Sequence, residues 1–287
     1  MRRAAVVVFA ALFLLVAVGC GGDGGSTAQA PTGTEPSSTV PSESSAQEAV
    51  LQAGSKTQAA ESARINFTGT MSGGPASGTI EGEGAFSGRQ GRMTMDLSGL
   101  SGGVGLSGEM EMIFDELVFY MKFPAAMTQA LPGGKEWVKF DLAELGEQEG
   151  FDLQQMMQLS GTDPSQSLDL LRAAGTDFRE VGEEEVRGVS TTHYEGTVDL
   201  EKVAEQVPPE ARESYRKLME LSGQSQIPMD VWIDEEGMTR RIAYEQKLGD
   251  GSTMALTQEY FDFGADVDVE PPPDDEVLDI TDLMSGI

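Results

Sequence analysis

Arg92-Met93-Thr94-Met95-Asp96-Leu97 and Glu109-Met110-Glu111-Met112, the latter followed by Phe114, carry the pattern that decides the fold. Apolar and polar residues alternate in both stretches. Side chains of a strand point to opposite faces in turn, so a period of two predicts strands with one apolar and one wet face. The alternation extends outward on both sides. Ile65, Phe67 and Met71 show it, as do Ile80, Gly82, Gly84 and Phe86. Leu117, Phe119, Met121 and Phe123 follow, then Val138, Phe140 and Leu142. Strand-like runs return at 178–187, 189–200, 229–234, 238–248 and 253–263, with a last one near 277–280. Gly or Pro punctuates nearly every junction. Short strands with regular turn signals imply an antiparallel meander, here of about eleven strands.

Helical signals are fewer. Ser45 with Glu48 forms a capping-box pattern ahead of a helix expected over 46–62. Helical spacing recurs at 151–159 and 165–174, the latter ending at Gly175. A further helix is expected over 210–221, with Pro209 at its start and Gly223 at its end. A long sheet with one apolar face must cover that face. The expected architecture is therefore α+β: a strongly curved antiparallel sheet with helices on its concave face. Segments 46–62 and 209–222 are the expected movable covers.

The amino terminus reads as an export signal. Arg2 and Arg3 precede an apolar run from Ala4 to Val18. As a helix that run spans roughly 22 Å, short of a ~30 Å hydrocarbon core, which fits a signal-peptide h-region better than a permanent span. It ends in Val16-Ala17-Val18-Gly19-Cys20, which resembles a bacterial lipobox and marks Cys20 for lipidation. Cleavage before Cys20 removes Arg2 and Arg3 and takes the formal charge from −29 to −31. Acyl chains on Cys20 would anchor the protein firmly, at ~0.8 kcal/mol per buried CH₂. Of the 25 residues from Gly21 to Ser45, 18 are Gly, Ser, Thr or Pro, too few apolar groups to fold. The expected organisation is a signal peptide (1–19), a lipidated Cys with a flexible tether (20–45), and one domain (46–287) ending in an acidic segment.

Composition narrows the function. Against 48 Asp and Glu stand 19 Lys and Arg, which argues against nucleic-acid binding and against docking on anionic lipid through a basic patch. One Cys excludes a disulfide framework and a cysteine-built zinc site. No cofactor and no metal site is expected. His193 is the sole histidine, and no G-x-S-x-G motif accompanies it, so a structural role is expected and no catalytic residue is assigned. The acidic cluster of Asp266, Asp268, Glu270, Asp274, Asp275 and Glu276 lacks calcium-loop spacing and, with Pro271–Pro273, reads as an extended solvated segment.

Four segments resemble one family. They are Val181 to Tyr194; Leu117 to Lys122 with Trp137 to Asp141; Val231-Trp232-Ile233-Asp234 with Gly237, Arg240 and Arg241; and Tyr260-Phe261-Asp262-Phe263-Gly264. As an ordered set behind a lipobox, over residues 46–283, they resemble the actinobacterial LppX/LprG-type lipoproteins, relatives of the LolA/LolB carriers. The resemblance implies a U-shaped half-barrel whose cavity holds acyl chains of lipids, lipoglycans or lipoproteins crossing the envelope. It supplies no catalytic motif.

Methionine on strands suits a surface that accepts irregular apolar shapes, although core packing under the helices uses the same face. The expected cavity lining is Phe67, Met93, Met95, Leu97, Met110, Met112, Phe114, Phe119, Met121 and Leu218. The leading expectation is a monomeric lipid carrier anchored on the extracytoplasmic face of the cell membrane, working with an envelope transporter or acceptor protein. The alternative is an interaction or sensor module with a collapsed cavity. An enzyme of envelope lipids ranks last, for want of a nucleophile and base.

Overall fold

The computed structural model describes residues 43–74, 77–101, 108–128, 131–141, 143–144, 175–206, 224–247 and 251–280. The helices expected over 151–159, 165–174 and 210–221 lie outside them. Three α-helices are described: α1 (Glu43–Gln58), α2 (Ala125–Thr128) and α3 (Leu200–Gln206).

Thirteen strands form one open sheet: β1 (Ser62–Ser72), β2 (Ser77–Ser87), β3 (Gln90–Asp96), β4 (Leu100–Ser101), β5 (Glu109–Asp115), β6 (Val118–Lys122), β7 (Trp137–Asp141), β8 (Gly175–Val186), β9 (Val189–Asp199), β10 (Gln226–Asp234), β11 (Thr239–Lys247), β12 (Thr253–Phe261) and β13 (Val277–Asp279). Their spatial order is β13-β7-β6-β5-β3-β2-β1-β12-β11-β10-β9-β8, with the two-residue β4 pairing off this path on β2. Two meanders, β1–β7 and β8–β12, are thus joined where β1 pairs with β12, Ile65 opposite Tyr260 and Phe67 opposite Gln258. Each hairpin is a local event encoded by its turn. The β8–β9 turn shows how: Arg187 and Gly188 both have positive φ (52° and 80°), the geometry of a two-residue hairpin turn that matches strand twist. The β1–β12 pairing is the long-range contact that makes one sheet of the two halves.

Several boundaries differ from expectation: Gly175, expected to cap a helix, begins β8 opposite Val198. Helix α1 starts at Glu43, two residues before Ser45, so Ser45 and Glu48 do not form its cap; Glu48 instead accepts a hydrogen bond from Gln52 at 3.2 Å. The helix also stops at Gln58, because Ser62 already pairs with Ser87 in the sheet and its hydroxyl donates to the Ala265 carbonyl at 2.6 Å. Met238, expected on a strand, lies in the turn before β11, where its N–H donates to Asp234. The sheet also contains one parallel pair, β13 on β7, with Val277 opposite Trp137.

That parallel pair follows from the path of the chain. After β12, a turn at 263–264, an extended stretch over 265–273 and a 3₁₀ turn (Asp274–Glu276) lead from the middle of the sheet to its far edge. Gly264 N–H donates to Ser62 at 2.9 Å at one end. At the other, Glu136 N–H donates to the Glu276 carbonyl at 3.0 Å and Lys135 Nζ to the Asp275 carbonyl at 2.6 Å. Asp266, Asp268 and Glu270 are exposed in alternation with half-buried Val267 and Val269. The acidic segment is therefore an extended, solvated strap, as its composition suggested.

Candidate ligand-binding face

Residues opposite one another in a ladder share a face, so the registers sort the side chains. Across β2 to β6, Gly82 faces Met95, Met95 faces Met110, Met93 faces Met112, and Met112 faces Met121. Continuing the other way, Met71 faces Met254 and Gly69 faces Leu256; Leu256 faces Tyr244, which faces Met229. One face is thus largely apolar from β7, where Val138 faces Met121, to β9, where Tyr194 faces Val231, with Gln246 and Gln258 as polar members.

Six of the expected lining residues, Phe67, Met93, Met95, Leu97, Met110 and Met112, are buried in one cluster with Leu256. Phe114, Phe119 and Met121 are half-buried against it, the two rings stacked at 6.1 Å. Cys20 and Leu218 lie outside the described residues. The cluster also holds Ile80, Leu100, Phe123 and Tyr244, which were not among the expected lining. For Leu256 and Tyr244 the signal was the alternation on β11 and β12; what was missing was the β1–β12 pairing that brings those strands to the methionines.

Glycines set the depth of this face. A Cβ on Gly82 would stand 2.3 Å from the Phe67 ring, and one on Gly91 2.2 Å from the Phe114 ring. Gly196 seats Phe178 in the same way at 2.4 Å. Phe178 belongs to a second buried cluster with Val231 and Ile233 on the sheet and Ala46 and Ala53 on α1. Helix α1 therefore covers the β8–β10 end. Small side chains let it lie close, and its carboxyl end is fastened by Thr239 N–H to the Thr57 hydroxyl at 2.8 Å and by Lys56 Nζ to the Glu236 carbonyl.

The opposite face is polar and built in rows. His193, Trp232, Arg241 and Glu259 stand in register on β9 to β12. His193 stacks on Trp232 at 4.2 Å, with Nδ1 3.2 Å from Glu184 and Nε2 2.7 Å from Asp230. Both ring nitrogens are taken by carboxylates, which leaves neither to deprotonate a nucleophile. Trp232 Nε1 donates to Glu184 at 2.9 Å, and this bond is the main cause holding the Glu184 carboxyl below its ordinary range. Arg241 Nη2 reaches Glu259 at 2.7 Å. This arrangement orients side chains and ties strands together. Among the described residues, no group of three or more His, Cys, Asp or Glu is placed to hold a metal.

Described residues line concavities at two places that bear on these faces. One, of about 270 Å³, lies at the ends of β5–β7 and is lined by Glu109, Glu111, Lys122, Phe123, Pro124, Ala125, Thr128 and Glu136. The other, of about 370 Å³, lies at the β8–β9 hairpin and is lined by Glu183, Glu184, Glu185, Gly188 and Ser190.

The fold and this face define an open, mostly antiparallel sheet that buries one apolar, methionine-rich side and displays a charged one. No family model matches the chain. It is 29% identical over 250 residues to an uncharacterized 31.2 kDa protein encoded between rplA and rplJ in Streptomyces griseus, covering 82% of this chain and 79% of that one. It is 28% identical to a Streptomyces coelicolor protein named provisionally as a lipoprotein, covering 99% of this chain and 97% of that one. Among solved structures it is similar to the Mycobacterium tuberculosis lipoprotein LppX, with 14% identity, a TM-score of 0.44, and coverage of 80% of this chain and 100% of that one. LppX is a member of the family that the sequence resembles.

Proposed function

We propose that this protein is a lipid-anchored envelope carrier that holds acyl chains of lipids or lipoglycans against its methionine face. The observation that carries the reading is the continuity of that face: methionine and aromatic side chains run in register over strands from β7 to β9. Unbranched thioether side chains can repack around chains of different shape, which branched side chains do less well. Cys20 supplies the anchor at the extracytoplasmic face of the membrane. Helix α1, directly after the tether, is the movable cover; it meets the sheet through Ala46, Val50 and Ala53.

The energetics set the mode of action. A 16-carbon chain taken wholly from water is worth roughly 12 kcal/mol at ~0.8 per CH₂. A chain that starts in a bilayer has already gained most of this. The carrier therefore needs only to match the membrane, and transfer needs a transporter or acceptor to receive the cargo.

One observation favours the second reading, a non-enzymatic interaction or sensor module. Met110 and Met112 are only 1% and 2% exposed, so the face is well packed where the carrier would open. Native mass spectrometry followed by organic extraction separates the two, using the secreted chain with Cys20→Ser. A non-covalent adduct of several hundred daltons that extracts as lipid is expected. A clean apo mass, with no uptake of fluorescent acyl probes, overturns the carrier reading and leaves the module.

A further inference from the structure

The concavity at the ends of β5–β7 stands at the rim between the two faces of the sheet. Glu109, Glu111 and Lys122 belong to the polar side, as shown by the pairing of Glu111 with Lys122 and of Glu109 with Asp96. Phe123 lines the same concavity and also packs against the methionine cluster. One wall is therefore shared with the face proposed to hold the acyl chain. A volume of about 270 Å³ equals roughly nine waters at ~30 Å³ each, room for a small headgroup.

The charges in this concavity are not equivalent. Glu136 is paired with Lys122, whose ammonium is held above its ordinary range mainly by that bond. Glu111 accepts from Arg92 at 2.8 Å. Glu109 is exposed and, among the described residues, has no cation within ion-pair distance. Three carboxylates and one ammonium leave the lining negative, and among the described residues the carboxylate without a partner cation is that of Glu109. An anionic headgroup would be repelled, while a cation would find an unshared carboxylate beside an aromatic wall.

We propose that this concavity is a headgroup subsite for a cationic, amine-bearing amphiphile, with Glu109 as its counter-ion and Phe123 marking the passage to the methionine face. The proposal rests on the carrier reading and adds the class of cargo to it. An ion pair in a part-open site is worth a few-fold in affinity.

The test uses the secreted chain with Cys20→Ser and three pyrene-labelled probes of equal chain length ending in ammonium, hydroxyl or carboxylate. The expected order of affinity is ammonium, hydroxyl, carboxylate. Glu109→Gln should lower ammonium affinity about threefold and leave the hydroxyl probe unchanged. Glu109→Lys should invert the order of the two charged probes. Glu83→Gln, an exposed carboxylate on β2 away from the concavity, controls for the general acidity of the surface. Equal effects of Glu109→Gln and Glu83→Gln, with all probes still bound, would overturn the headgroup subsite and leave the carrier standing. Failure of all three probes to bind would overturn both.

Discussion

Replacing Gly82 with alanine should destabilise this protein, while the same replacement at Gly54 should stabilise it. The new Cβ at Gly82 would lie 2.3 and 2.6 Å from two carbons of Phe67 and 2.5 Å from the Thr94 carbonyl oxygen. The ring would have to withdraw by about 1 Å to restore ordinary contact, but Phe67 is only 9% exposed and sits in the methionine cluster. The Thr94 carbonyl belongs to β3, which is paired on both sides and cannot swing away. Overpacking of this kind costs about 1–3 kcal/mol, and a backbone obstacle places Gly82 toward the upper end. Restricting the unfolded chain returns about 0.4–1 kcal/mol. The net loss is about 1–2 kcal/mol, or a fall in Tm of about 2–8 °C for a domain of this size. Gly54 lies within α1, and a Cβ there would meet nothing within 4 Å, so alanine should add about 0.5–1 kcal/mol. Urea and thermal melts of the secreted Cys20→Ser chain, followed by far-UV circular dichroism, measure both. Equal or higher stability for Gly82→Ala would refute the claim that glycines on β2 seat the rings of the apolar face.

Three further outcomes follow from the polar contacts and the charge. Asp234 is a buried carboxylate that accepts from Met238 N–H at 2.8 Å and pairs with Arg240; Asp234→Ala should cost about 2–3 kcal/mol in urea unfolding, and Asp234→Asn should recover part of it. Burial holds the Tyr260 phenol well above its ordinary range, and its hydroxyl donates to Gln258 at 2.9 Å. Because the folded state disfavours the phenolate, this contribution is whole below about pH 10 and is lost as pH rises beyond it. Tyr260→Phe should therefore move the alkaline unfolding midpoint upward, read by absorbance at 295 nm; an unchanged midpoint would argue against it. A formal charge of −29 repels itself, so raising sodium chloride from about 0.02 to 0.5 M should raise Tm; a Tm that falls over this range contradicts the view that repulsion outweighs the surface ion pairs.

The sequence made the strands legible because each is specified locally. The alternation of Met93, Met95, Met110 and Met112 needs no partner to be read, and turn residues such as Arg187-Gly188 close hairpins between neighbours. What local patterning cannot express is which distant strand comes next. Nothing in β1 names β12, yet that pairing joins the two meanders and adds Leu256 and Tyr244 to the methionine cluster. The parallel return of β13 to β7 was hidden for the same reason: its pairing depends on how far the acidic strap reaches. The polar-side row of His193, Trp232, Arg241 and Glu259 was also invisible, since four residues far apart in the chain become neighbours only once the registers are set.

The two faces divide the work of the molecule. On the polar side, ion pairs and stacked rings connect strand to strand: Glu184 of β8 reaches His193 of β9 and Trp232 of β10, while Arg241 of β11 holds Glu259 of β12. These contacts fix the sheet without calling on its apolar side. That matters for a carrier. If the sheet depended on a tightly interlocked apolar face, admitting a chain would cost fold stability. In the carrier reading, strands tied together from behind would keep their registers while side chains of the apolar face and α1 moved to admit a chain. The helix meets the sheet through Ala46, Val50 and Ala53, side chains of small to moderate size. Small side chains permit close packing but bury little area, so detaching them is inexpensive. In the carrier reading, it is this cover over the β8–β10 end that an acyl chain would displace.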